Sequence, residues 1–151
     1  PRLVLADWLD ENGQPERAEL IRVQIRRECS PDQANDHDLE RREYKLRSEQ
    51  QASLLSLLGP EERARYSLTV ERGFPHSLSV SRTAFSEPRL LRALPGLREL
   101  WLMDCTLTPD VVNEIGRFAH LGVVRLYRVP FSADWLDCLA SLPAWACIGI
   151  E

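Results

Sequence analysis

Leu97-Arg98-Glu99-Leu100-Trp101-Leu102-Met103-Asp104-Cys105-Thr106-Leu107 spells L-x-x-L-x-L-x-x-C-x-L without a mismatch. Side chains alternate along an extended segment, so Leu100 and Leu102 share one face of a strand and Glu99, Trp101 and Met103 share the other. The same offsets recur downstream from Leu121, where they carry Leu121, Val124, Leu126, Val129 and Phe131. A third copy starts at Leu142, with Trp145 and Cys147 in the leucine slots and Ile150 in the ladder slot. Upstream, Pro75, Leu78, Val80, Thr83 and Phe85 follow the same ruler in an irregular first copy.

The stretches between these strands repeat as well. Ser86, Thr108 and Ser132 occupy one shared offset, and a Ser or Thr side chain can accept a bond from an orphan helix N–H. Pro109 suits a first helical position, and the acids Glu87, Asp110 and Asp134 fall where a helix dipole favours negative charge. Leu90, Val112 and Leu136 then share a later offset, the apolar face of a short helix. This pattern resembles the leucine-rich repeat, in its ribonuclease-inhibitor-like, cysteine-type form. The resemblance implies an α/β leucine-rich repeat solenoid, with a short parallel sheet on its concave side and short helices on its convex side, which the strict period favours over the alternative of an ordinary α/β domain with alternating strands and helices. Residues 67–151 would hold about four such units, the last incomplete, and residues 1–66 an all-helical N-terminal cap.

That first region is patterned for helices. Residues 2–11 set Leu5, Trp8 and Leu9 on one face, and Asn12-Gly13 supplies a stop. Pro15 restarts a helix through Ala18, Ile21, Ile25 and Cys29, and Ser30 to Asn35 reads as a loop. From Asp36 a long helix is predicted to Leu58, with Gly59-Pro60 as its C-cap. Its early part, Asp36 to Glu49, mixes five acids with four bases, as a solvated face with local ion pairs would.

The run Arg2-Leu3-Val4-Leu5-Ala6-Asp7-Trp8-Leu9-Asp10-Glu11-Asn12-Gly13, then Pro15-Glu16-Arg17-Ala18-Glu19-Leu20-Ile21-Arg22-Val23-Gln24, closely resembles the bacterial repeat-companion domain. Its hallmarks are the Ala-Asp-Trp-Leu helix, the Gly stop and an Arg-Ala-Glu helix ending in Ile-Arg-x-Gln. The resemblance covers about 24 residues and fades through the long helix. It implies a module that precedes repeats, often leucine-rich ones, with no assigned biochemical activity. It also implies a further helix before Pro1. A helical hairpin would shield the open end of a solenoid. Asp7, beside Trp8 on a packing helix, calls for a cationic partner, Arg17 or Arg22.

Composition narrows the function classes. The chain has 151 residues, 44% of them hydrophobic, and a net charge of -4, against the basic footprint that nucleic-acid binding needs. No apolar run approaches the ~18 residues of a membrane span. The four cysteines, Cys29, Cys105, Cys138 and Cys147, contain no C-x-x-C pair and read as small buried hydrophobes. A Cys138–Cys147 disulfide stays open, with reduced thiols in a cytoplasmic protein favoured. His37, His76 and His120 sit at no metal-ligand spacing, and no nucleophile elbow or phosphate-cradling glycine loop is present. No cofactor and no enzyme activity are expected.

A binding face is better supported. The residues between the leucines align as Ser79, Trp101, Arg125 and Ala146 in one row, and Ser81, Met103, Tyr127 and Ile148 in the next. A third row holds Ser77, Glu99, Val123 and Ala144. Trp, Met, Arg and Tyr are enriched at protein interfaces, which makes Trp101, Met103, Arg125 and Tyr127 the candidate partner-binding patch. The simpler alternative is that Arg125 merely covers Trp101, with Arg82, Asp104 and Arg128 as internal electrostatics. The functional expectation is a non-enzymatic protein-interaction module with an unknown protein partner, and no nucleic acid or membrane. Two alternatives stand beside it: a targeting arm of a larger enzyme or signalling protein, and a solenoid self-associating through its C-terminal edge strand. The F-box layout is an analogy of arrangement alone, since its Leu-Pro signature is missing.

Overall fold

A computed structural model describes residues 2–29, 37–130, 132, 135–140 and 147–150. The chain divides into two compact units, one of Pro1–Ser53 with Val70–Phe74 and one of Leu54–Thr69 with Pro75–Glu151.

The first unit is built on helices α1 (Arg2–Glu11), α2 (Pro15–Cys29) and α3 (His37–Leu54). Gly13 ends α1 in the left-handed region at φ 72°, and the Gln14 N–H returns to the Leu9 carbonyl at 2.9 Å. Ala6 and Leu9 of α1 close on Ala18 and Ile21 of α2. Arg22 clamps the pair from outside, reaching Asp7 at 2.7 Å and Asp10 at 2.6 Å. Trp8, expected on the packing face, is 53% exposed; the small Ala6 takes the buried position, which lets the helices approach closely.

Along α3, Leu39, Glu43, Leu46 and Gln50 form one inward stripe at helical spacing. Leu46 packs with Leu20, Val23 and Val70. The mixed-charge segment is therefore more than a solvated face. Its Arg42 bonds Glu19 at 2.6 Å, and Glu43 is only 5% exposed. Residues 70–74 are the tip of a β-hairpin, so this unit is not all-helical. Arg72 and Gly73 both have positive φ, 53° and 76°, the conformation of a two-residue hairpin turn. Three donors converge on the Gly73 carbonyl: Arg17 Nε at 3.2 Å, Arg17 Nη2 at 3.1 Å and Gln50 Nε2 at 2.9 Å. Arg17 also lies over the Phe74 ring, 5.2 Å from its centroid.

The second unit begins with one turn of 3-10 helix at Leu55–Leu57 and a short α4 (Pro60–Arg63). Gly59 serves as N-cap of α4 with φ −60°, not as the expected left-handed C-cap, because Leu58 already turns the chain into an extended conformation. The strands are β1 (Tyr66–Glu71), β2 (Phe74–Ser81), β3 (Ala84–Phe85), β4 (Glu99–Met103), β5 (Thr106–Leu107), β6 (Val123–Tyr127) and β7 (Cys147–Ile150). Helices α5 (Pro88–Arg92), α6 (Pro109–Ile115) and α7 (Trp135–Ala140) lie between them in sequence. The main sheet has the order β1-β2-β4-β6-β7, and β3 pairs with β5 in a second, parallel ribbon.

Strands β2, β4, β6 and β7 are mutually parallel. The two-residue connection makes β1 antiparallel to β2. The sheet is therefore mixed, and this corrects the expected leucine-rich repeat solenoid with its all-parallel sheet. The molecule is a small α/β protein, and among the described residues no solenoid is defined. The strand assigned to a first repeat is the second arm of a hairpin. Its other arm, Tyr66-Ser67-Leu68-Thr69-Val70-Glu71, alternates buried and exposed along its whole length.

Leu78 and Val80, Leu100 and Leu102, and Val124 and Leu126 fill the buried side of the sheet together with Leu90, Leu91, Val111 and Ile115. Just beyond three of the strands, Arg82, Asp104 and Arg128 adopt φ of 53°, 50° and 50°. The N–H groups of Arg82 and Asp104 bond the carbonyls of Met103 and Tyr127, at 3.0 and 2.9 Å. This turns the chain off the sheet and leaves the Cys105 thiol 3.2 Å from the Val80 carbonyl. Burial pushes the pKa of that thiol up, making it a poor nucleophile.

Candidate functional site: an aromatic and basic strip on the sheet

Strands β4 and β6 bring all four candidate residues together, because the parallel register sets Trp101 beside Arg125 and Met103 beside Tyr127. Their neighbours Leu100, Leu102, Val124 and Leu126 point into the core, so the alternation of the strand sends these four to the opposite face. The Arg125 guanidinium lies over the Trp101 ring at 4.5 Å from its centroid, and Arg128 lies over Tyr127 at 4.9 Å. Stacking of this kind contributes about 0.5–1 kcal/mol at exposed sites. It also holds a flexible cation in one place, with its N–H edge available.

Trp101 Nε1 donates to Glu99 Oε2 at 3.2 Å, and His76 Nε2 lies 3.7 Å from Glu99 Oε1. His76 is half-buried beside Glu99. Arg128 is 3.9 Å from Asp104, the internal pairing expected of that row. Arg125 is exposed, Tyr127 is 38% exposed, and Trp101 and Met103 are half-buried. The strip is thus an aromatic floor with guanidinium groups laid over it. Sequence reasoning missed the anchoring role of Glu99, whose signal was its place two residues before Trp101 on the same strand face.

The fourth column of the expected face falls elsewhere. Arg125 pairs with Gly149, and Val124 and Leu126 pair with Ile148 and Ile150. The last strand is therefore set three residues later than the template placed it. Ile148 stands at a core-slot register instead of beside Tyr127, and Ala144 and Ala146 lie outside the described residues. So do the loop at Ser30 to Asn35 and the side chains of Cys138 and Cys147. Cys29 and Cys105 are free thiols.

Among the described residues, no group of three or more His, Cys, Asp or Glu side chains is placed to hold a metal ion, and no helix is long and apolar enough to cross a membrane. What fold and face define is a class: a small α/β protein with a mixed sheet that displays an aromatic and basic strip. No family model, no curated protein and no solved structure matches the chain.

Proposed function

We propose that this chain is a non-enzymatic protein-interaction module that works in the cytoplasm and takes a protein partner, without a cofactor, on the strip formed by Trp101, Met103, Arg125 and Tyr127. The observation that carries the reading is the parallel register that gathers Trp101, Met103, Arg125 and Tyr127 on one strand face with Arg125 exposed and Tyr127 38% exposed; the stack of Arg125 on Trp101 at 4.5 Å is equally what the simpler alternative calls for. A pre-positioned guanidinium over a rigid aromatic loses little freedom on binding, which is why Arg, Trp and Tyr dominate interface hot spots. The likeness of residues 2–24 to the repeat-companion domain supports a companion role for the first unit, and the free thiols Cys29 and Cys105 suit a reducing compartment. The test is a parallel pull-down with the wild-type chain, Trp101→Ala and Arg125→Ala, each checked for an unchanged melting transition. Partners held by the wild type and lost from both variants are expected. An identical set of partners on all three refutes the reading.

A further inference from the structure

Arginines elsewhere in the chain meet carboxylates closely. Arg2 reaches Glu28 at 2.7 Å, Arg22 reaches Asp7 at 2.7 Å and Asp10 at 2.6 Å, Arg42 reaches Glu19 at 2.6 Å, and Arg92 reaches Glu114 at 3.0 Å. The strip departs from this habit. Its cations are laid on rings instead, Arg125 on Trp101 and Arg128 on Tyr127. Among the described residues the Arg125 side chain forms no ion pair and no hydrogen bond, and Arg128 stands 3.9 Å from Asp104, beyond hydrogen-bond reach.

The charge around the strip has the same bias. Arg82 follows β2 as Arg128 follows β6, and Arg65 lies at the same end of the sheet, its carbonyl accepting from the Ser81 N–H at 2.9 Å. Two carboxylates stand against these cations. Glu99 is occupied by the Trp101 N–H at 3.2 Å and lies 3.7 Å from His76, and Asp104 follows β4, the strand between β2 and β6. Glu62 and Glu87 bear instead on Tyr66, a side chain of the buried face. Arg65, Arg82, Arg125 and Arg128 are all exposed, so a chain of net charge -4 gathers an excess of cations beside its one aromatic strip. A stacked guanidinium keeps its planar N–H fork free, the geometry that matches a carboxylate with two parallel bonds. The ring has already restricted the side chain, so less freedom is lost when those bonds form.

We propose that the occupant of the strip is an acidic segment of the partner protein, its carboxylates bonded by the N–H edges of Arg125 and Arg128 while those cations stay on the Trp101 and Tyr127 rings. This rests on the protein-binding reading above and adds the chemistry of the partner. A single-stranded nucleic acid fits less well, because each ring already carries a guanidinium where a base would stack.

The experiment is an NMR titration of the full chain, following the Trp101 indole N–H and the Arg125 Nε–Hε signals. The probes are two end-blocked hexapeptides, one alternating glutamate with leucine and one alternating glutamine with leucine, and a hexauridylate. The glutamate peptide is expected to shift both signals saturably below about 1 mM, with the glutamine peptide about tenfold weaker or worse, the typical worth of a charge-assisted bond. Arg125→Gln, read at the Trp101 signal, should lose the same factor for the glutamate peptide. Arg41→Gln, which removes an exposed charge from the first unit, should leave that affinity unchanged. The acidic partner is overturned if no peptide moves the signals, if glutamine binds as well as glutamate, if Arg41→Gln costs as much as Arg125→Gln, or if hexauridylate binds more tightly. The pull-down with Trp101→Ala reads a protein partner of any charge. Partners lost there alongside one of these results would overturn the acidic chemistry alone, and partners retained there would overturn the strip.

Discussion

Substituting Gly73 by Ala would dissect how the hairpin tip is held in the first unit. Two costs are separable there. At φ 76° the new Cβ occupies the left-handed region, worth about 1–2 kcal/mol. It would also stand 2.9 Å from Ile21 Cγ1 and 3.1 Å from Ile21 Cδ1. Ile21 is 1% exposed and packed against Ala6, Leu9 and Ala18, so it has little room to yield, and overpacking of this kind costs about 1–3 kcal/mol more. Gly13 is the internal control. Its φ is 72°, but a Cβ there meets nothing within 4 Å, so Gly13→Ala should show the backbone cost alone. In urea unfolding followed by circular dichroism, Gly73→Ala should therefore lose about 2–5 kcal/mol and Gly13→Ala about 1–2. Ile21→Ala removes the obstructing atoms, so in that background Gly73→Ala should fall to the Gly13 value, a coupling of about 1–3 kcal/mol. Additivity within about 0.5 kcal/mol, or equal losses at the two glycines, would refute the reasoning.

Two further outcomes follow from the second unit. Tyr66, 8% exposed and edge-on to Phe85 at 5.8 Å, has its pKa pushed up to about 12 by burial, with Glu62 adding to the effect. A phenol whose folded-state pKa is raised contributes stability that is full below its unfolded value and lost as pH rises through the folded one. The wild type should thus lose up to about 3 kcal/mol relative to Tyr66→Phe between about pH 10 and about pH 12. Parallel denaturant melts of the two proteins with the same pH dependence would contradict the burial of that ring. Thr108 stands at the N-cap of α6 but makes no capping bond, and its hydroxyl is buried without a partner. Thr108→Val should leave stability unchanged or raised, and a loss of about 1 kcal/mol, the usual worth of a cap, would show that the hydroxyl caps the helix after all.

How much of this was legible in the sequence depended on whether a local signal or a long-range partner decided each element. Helices α1 and α2 end and begin at Gly13 and Pro15 because backbone chemistry is local. The pairing of Trp101 with Arg125 followed from apolar alternation in β4 and β6 and the common spacing of the two strands. The mixed sheet did not follow, because the template was anchored on leucine spacing. The hairpin announced itself differently, in the alternation of Tyr66, Leu68 and Val70 before Arg72-Gly73. The last strand slipped by three residues because Leu142, Trp145, Cys147, Ile148 and Ile150 offer several apolar registers, which hydrogen bonding to β6 then resolves. Glu43 was hidden for another reason. A glutamate in a charged helical run reads as solvated, and only the tertiary approach of Arg27 and Gln24 makes its burial tolerable. Of the cysteines read as buried, Cys105 is inside at 1% exposure, whereas Cys29, at the end of α2, is exposed.

The most direct test of the strip is the affinity of a partner, captured on the wild-type chain, for three forms: wild type, Trp101→Ala and Arg125→Ala. Both variants leave the buried residues Leu100, Leu102, Val124 and Leu126 intact, so the sheet itself should persist. A Kd weakened about thirtyfold or more by Trp101→Ala, as for a hot-spot aromatic, and about tenfold by Arg125→Ala is the expected result. An unchanged Kd in both variants, with melting transitions like the wild type, would contradict the assignment of this face as the binding surface.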